Sequence, residues 1–198
     1  MITTVLLDLD GVVRHFDPLR IAGIEERHGL APGELMAAGF APDLLEPVIT
    51  GATTRSTWTQ QVGEAVGNAA AAAEWLAGRG TVDAEMLDVV AELRTAGTTV
   101  AVLTNGTDSI PDEMEELGLV AHFDAIFNSA SIGFAKPDVR AFEAVCDALD
   151  VAPEAVFFTD DSASKLSGAI EVGMTAELFT SRKSLVQRLT ALGLLPAP

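Results

Sequence analysis

The sequence predicts an α/β fold, a parallel sheet flanked by helices, with a helical segment inserted after the first strand. Three observations carry this. Five short β-branched and aliphatic runs alternate with amphipathic stretches, which implies parallel pairing through right-handed crossovers. The alternation is broken once, between the first run and a helix starting near residue 83, by a long stretch with no credible strand. The 198 residues are 48% apolar and 21% charged. That suits one ordinary domain, or one domain plus a small insert, and needs neither disulfide nor structural metal to fold.

The elements follow in order. Thr3–Leu9 (TTVLLDL) reads as a buried strand. Asp17-Pro18 joins an N-cap to a proline suited to the first helical position, opening a helix to about His28 that Gly29 stops. Pro32, Pro42 and Pro47 mark short segments, and 53–77 reads as one or two helices. Its alanine run, 69–73, reads as a close helix–helix contact. Asp83 to Ala96 carries apolar residues at 86, 87, 89, 90 and 93, with Asp83 as N-cap and Gly97 as the stop. Strands over Val100–Leu103, Ala125–Phe127, Ala155–Phe158 and Thr175–Phe179 then alternate with helices over 110–117, 139–149, 165–172 and 184–192. The expected division is an α/β core of 1–14 and 81–198, with a helical insert over 15–80.

Composition excludes some functions. Twelve basic against 29 acidic residues leave a net charge of −17. Nucleic acid and anionic membranes, which need a basic footprint, are therefore not expected partners. A small phosphate ester is compatible, because a pocket can be locally positive. Cys146 is the lone cysteine, so neither an internal disulfide nor a cysteine zinc site is possible, and a core position is expected. The opening residues have no basic leader and reach Asp8, and no apolar stretch is long enough for a bilayer. The expected setting is cytoplasmic.

Four polar clusters follow expected strands, and ligands of open parallel sheets gather at the carboxyl ends of strands. Asp8-Leu9-Asp10-Gly11 offers two carboxylates that point the same way if the strand period persists. One can attack phosphorus and the other can move a proton, with a divalent cation neutralising the substrate. Thr104-Asn105-Gly106 offers a hydroxyl and backbone amides to a phosphoryl group, although a cap for the next helix would use the same residues. Lys136 stands in the rigid Lys136-Pro137-Asp138 turn, where its charge can serve a phosphoryl oxygen and a carboxylate, a solvated surface charge being the alternative use. Asp160-Asp161 after Val156-Phe157-Phe158 costs energy unless a cation, most naturally a metal, neutralises the pair. The alternative use of either aspartate is a helix cap.

Together DLDGV, LTN, GFAKPD and FFTDDS resemble the haloacid dehalogenase superfamily, chiefly its phosphatases, in order and spacing across essentially the whole chain. The resemblance implies a Rossmann-like core with a small helical cap inserted after the first strand. It implies Mg²⁺-dependent hydrolysis of a small phosphorylated metabolite, with Asp8 as nucleophile and Asp10 as general acid and base. Thr104 and the backbone of Asn105 would hold the phosphoryl group, and Lys136 would stabilise its charge. Mg²⁺ would sit on the Asp8 carboxylate, the Asp10 main-chain carbonyl and the Asp161 carboxylate, with Asp160 behind them. Dehalogenases proper lack the carboxylate at position 10, which disfavours that activity. The branch resembled most includes the N-terminal phosphatase region of epoxide hydrolases and small bacterial sugar-phosphate phosphatases. A phosphosugar mutase, or a non-catalytic binding or regulatory protein on the same scaffold, are the competing readings.

One residue departs from the branch. Lys165 stands where Asn or Asp is usual; there a lysine could ion-pair with Asp160 or Asp161 and compete with the metal, which leaves metal affinity an open question. Arg14, His15 and Arg55 are candidates to touch the leaving group. Trp58 and Trp75 are expected to pack the insert, His28 and His122 to be structural or exposed, and the acidic stretch 112–116 to be a solvated helix face.

Overall fold

The computed structural model of the chain describes residues 1–196; the last two residues of the expected 81–198 unit lie outside it. The chain runs β1 (Thr4–Leu7), β2 (Arg14–His15), α1 (Pro18–His28), α2 (Glu34–Gly39), α3 (Pro42–Ile49), α4 (Arg55–Ala65), α5 (Ala69–Leu76) and β3 (Thr81–Val82). It continues with α6 (Ala84–Thr95), β4 (Thr99–Thr104), α7 (Ile110–Glu116), β5 (Ala125–Asn128), α8 (Ser129–Ile132) and α9 (Val139–Leu149). The last elements are β6 (Val156–Asp160), α10 (Ser167–Glu171), β7 (Thr175–Leu178) and α11 (Arg182–Ala191). The five expected strands form one parallel five-stranded sheet in the order β5-β4-β1-β6-β7.

β1 is the central strand and is buried throughout. Its side chains alternate between two cores, as the strand period requires. Val5 and Leu7 pack with Val102, Phe157, Met86 of α6 and Leu189 of α11. Leu6 faces the other way, with Leu103, Phe158, Phe142 and Val145 of α9. Cys146 belongs to this second core.

Helices α1 to α5 bury a third core of their own, including Ile24, Val48, Trp58, Val62 and Trp75. Asp17 caps α1 by accepting from the Leu19 N–H at 2.9 Å, and Gly29 ends it with φ of 69°. A Cβ on Gly63 of α4 would lie 2.9 Å from the Ala69 Cα of α5, so small residues do set that helix–helix contact. One expectation fails. The stretch between β1 and α6 contains two strands, β2 and β3, which pair antiparallel as Arg14 with Val82 and His15 with Thr81. Each strand is two residues long, too short to carry a readable period. This ribbon is the neck through which the chain leaves and re-enters the α/β layer.

Candidate active site

Parallel register brings the strand ends together. Leu7 stands beside Thr159, and the Asp8 N–H donates to the Thr159 carbonyl at 2.9 Å. The chain reverses its direction of sheet growth between β1 and β6, so Asp8 and Asp160 emerge side by side in the crevice such a reversal creates. Thr104 ends the neighbouring β4 and is buried. Lys136 arrives from the loop between α8 and α9. That loop is clamped by the Asn105 side chain, whose Nδ2 donates to the Lys136 carbonyl and whose Oδ1 accepts from the Lys136 N–H, both at 2.8 Å.

Lys136 Nζ lies 2.7 Å from Asp8 Oδ1 and 2.7 Å from Asp160 Oδ2, with all three side chains buried. Asp160 Oδ1 accepts from the Ser162 N–H at 2.8 Å, so both of its oxygens are engaged. One oxygen each from Asp8, Asp160 and Asp161 falls within 4.8 Å of the others. Gly11 makes room for this approach: a Cβ there would lie 2.0 Å from Asp161 Oδ2, and its φ of 93° suits glycine. Three carboxylates thus meet one ammonium. Burial pushes Asp8 up to about 7, with Asp160 adding to the rise and Lys136 opposing it. Asp161 is raised too, by burial and then by Asp160. The donors are hard oxygens carrying excess negative charge, which fits a small divalent cation.

A second ionic cluster lies at the neck. Arg14 donates to both oxygens of Asp10, at 2.6 and 3.0 Å, and to Glu113 Oε2 at 2.6 Å. Arg55, from α4, bonds Glu113 Oε1 and the Leu76 carbonyl, and donates to Ser109 Oγ at 2.6 Å. Burial drives Glu113 upward, but hydrogen bonds from Arg14 and Ser109 and the arginine charges outweigh it, holding the carboxyl below its ordinary value. Arg14 and Arg55 border the cavity but are committed to protein partners.

Asp8, Asp10, Thr104, Asn105, Lys136 and Asp161 all line one cavity of about 580 Å³. Two expectations need correction. Lys165 pairs with neither Asp160 nor Asp161 among the described residues; its Nζ donates to the Lys136 carbonyl at 3.3 Å, because the carboxylates are turned toward Lys136 and Gly11. Glu113 is 2% exposed, not part of a solvated face. Its signal was in the sequence: Ile110, Glu113, Met114 and Leu117 share the i, i+3, i+4, i+7 stripe of one helix face. His15 remains half-exposed, 3.8 Å from Asp83.

The haloacid dehalogenase-like hydrolase family model matches residues 2–173. A 108-residue stretch, 52% of this chain, is 36% identical to Phosphatase MT3486 of Mycobacterium tuberculosis, covering 50% of it. Another, of 114 residues and 55% of the chain, is 30% identical to rat Bifunctional epoxide hydrolase 2, covering 21% of it. The matched stretches thus span about half or less of these relatives. In fold, the chain is similar to the HAD family enzyme bt-2542 of Bacteroides thetaiotaomicron, solved with magnesium and inorganic phosphate. The TM-score is 0.76 and the identity 21%, over 92% of this chain and 96% of that one. This protein therefore belongs to the haloacid dehalogenase-like hydrolase family.

Proposed function

We propose that this haloacid dehalogenase-like hydrolase is an Mg²⁺-dependent phosphomonoester hydrolase of a small phosphorylated metabolite, working in the cytoplasm through a phosphoryl group carried on Asp8. The observation that carries the reading is the meeting of Asp8, Lys136 and Asp161 in one cavity with carboxylates in excess of ammonium. Phosphatases among its relatives support it.

In this reading Lys136 holds Asp8 Oδ1, and Oδ2 attacks phosphorus. The bond to the leaving-group oxygen breaks, and Asp10 supplies the proton that makes that oxygen an alcohol. Water then attacks the acyl phosphate, Asp10 takes its proton, and Asp8 is restored with release of phosphate. Thr104 and the Asn105 N–H hold the phosphoryl oxygens, and Lys136 offsets their charge. Asp8, Asp161 and the Asp10 carbonyl would hold Mg²⁺, which when bound neutralises phosphoryl charge that would repel the nucleophile. The helices of 15–80 act as the cap that shields the site from bulk water.

The test is phosphate release from p-nitrophenyl phosphate and a panel of phosphorylated metabolites. Turnover is expected with Mg²⁺, and its loss with EDTA. Absence of release from every ester at saturating Mg²⁺ overturns the proposal.

A further inference from the structure

The wall of the cavity contributed by residues 15–80 differs chemically from the wall at the sheet. Phe16, Ile21, Met36, Phe40, Trp58 and Trp75 line it. Trp58 and Trp75 are buried anchors, with ring centroids 6.2 Å apart, and Phe40 lies 6.3 Å from Trp75. Phe16, Met36 and Phe40 nevertheless leave 44%, 39% and 53% of their surface exposed. Apolar surface gathered in a concavity beside a reactive group marks the place of an apolar ligand portion.

Most polar groups sharing this wall are already engaged; His15, half-exposed with only Asp83 at 3.8 Å, is the exception. Arg20 donates to the Trp75 and Glu74 carbonyls, Arg55 to Glu113 and Leu76, and Arg79 to Glu116 at 2.9 Å. The Trp58 ring N–H donates to the Gly39 carbonyl at 3.2 Å. Sugar hydroxyls or an amino-acid headgroup placed here would lose water and find few free partners beyond His15.

Resting on the phosphatase reading above, we infer that the leaving group is a hydrophobic alcohol, so that the substrate class is the phosphate monoester of an alkyl or aryl alcohol. The phosphoryl end meets Asp8, Thr104 and Lys136, and the carbon chain lies against Phe40 and Trp75.

The experiment compares kcat/KM, with Mg²⁺, for ethyl, butyl, hexyl and octyl phosphates below micelle-forming concentrations, with glucose 6-phosphate and phosphoserine alongside. The expected rise is roughly fourfold per added methylene. Phe40→Ser is expected to flatten that rise. Ile170→Ser, at an exposed apolar residue that does not line the cavity, is expected to leave the slope unchanged. A flat series, an unchanged slope in Phe40→Ser, or a tenfold preference for glucose 6-phosphate or phosphoserine over octyl phosphate overturns the inference alone. Release from no ester at all overturns the phosphatase reading and this one with it.

Discussion

The sheet edge and the neck both bury carboxylates against cations, and they balance differently. At the neck, Glu113 faces Arg14, Arg55 and Arg79 and its charge is met, while Arg14 also positions the Asp10 carboxylate at the cavity. At the sheet edge, Asp8, Asp160 and Asp161 share Lys136, and Asp161 forms no ion pair among the described residues. The directions of titration record the contrast: Glu113 is lowered, whereas Asp8 and Asp161 are raised. A satisfied cluster fastens parts of a structure together. A cluster with surplus charge on an open cavity is a place to bind a cation and do chemistry.

The largest effect expected is from Asp8→Asn, which removes the proposed nucleophile. Turnover should fall by roughly 10⁴-fold or more, with the melting temperature held or raised because surplus buried charge is removed. Phosphate release and a thermal melt on the same preparation check both. A large loss of stability would instead make Asp8 a structural residue like those of the neck.

Next comes Glu113→Gln. Three arginines, Arg14, Arg55 and Arg79, would be left facing a neutral amide, and the protein should lose about 3 kcal/mol of stability in urea unfolding. Retention of full stability would break the comparison from the other side.

pH sharpens it further, in metal-free protein with EDTA present. Glu113 titrates lower in the folded state than its ordinary 4.5. Its stabilisation is therefore present above that value and lost as pH falls through the folded value. Asp161 titrates above its ordinary 3.8, so its contribution has the opposite sign, stability being lost as pH rises from 3.8 through the raised value. Unfolding from pH 3 to 7 should show Glu113→Gln with a shallower acid loss, and Asp161→Asn with stability gained toward neutral pH. Slopes of the same sign in the two variants would contradict this.

The smallest effect is expected from Lys165→Asn. Because Lys165 bonds a main-chain carbonyl rather than a carboxylate, half-saturating Mg²⁺ should change by less than about threefold, a shift worth under about 0.7 kcal/mol. A tenfold tightening would mean that this lysine competes with the metal after all.

Much of this was legible in sequence. The five strands declared themselves as short apolar runs, because a central parallel strand is covered on both faces and needs no alternation. Asp17-Pro18 and Gly29 marked the ends of α1 because caps are local chemistry. The clusters at Asp8, Thr104 and Asp160 were readable because each ends or directly follows a strand, and Lys136 because of its Lys-Pro-Asp turn. Glu113 was misread because its neighbours Asp112, Glu115 and Glu116 made the whole stretch look solvated, while its partners stand 58 and 99 positions away. The β2–β3 ribbon was missed because its strands are stabilised by each other and have no periodicity of their own.

The sequence by itself determined the strands, the cap residues and the acidic groups placed after β1 and β6, since these follow from local patterns of polarity and backbone preference. The tertiary structure decided which charge meets which. It gave Lys136 to Asp8 and Asp160, turned Lys165 away, and sank Glu113 among three arginines. Such pairings depend on register and packing between residues far apart in the chain, and the cost of leaving a buried charge unpaired selects among them only once the fold has brought the candidates within reach.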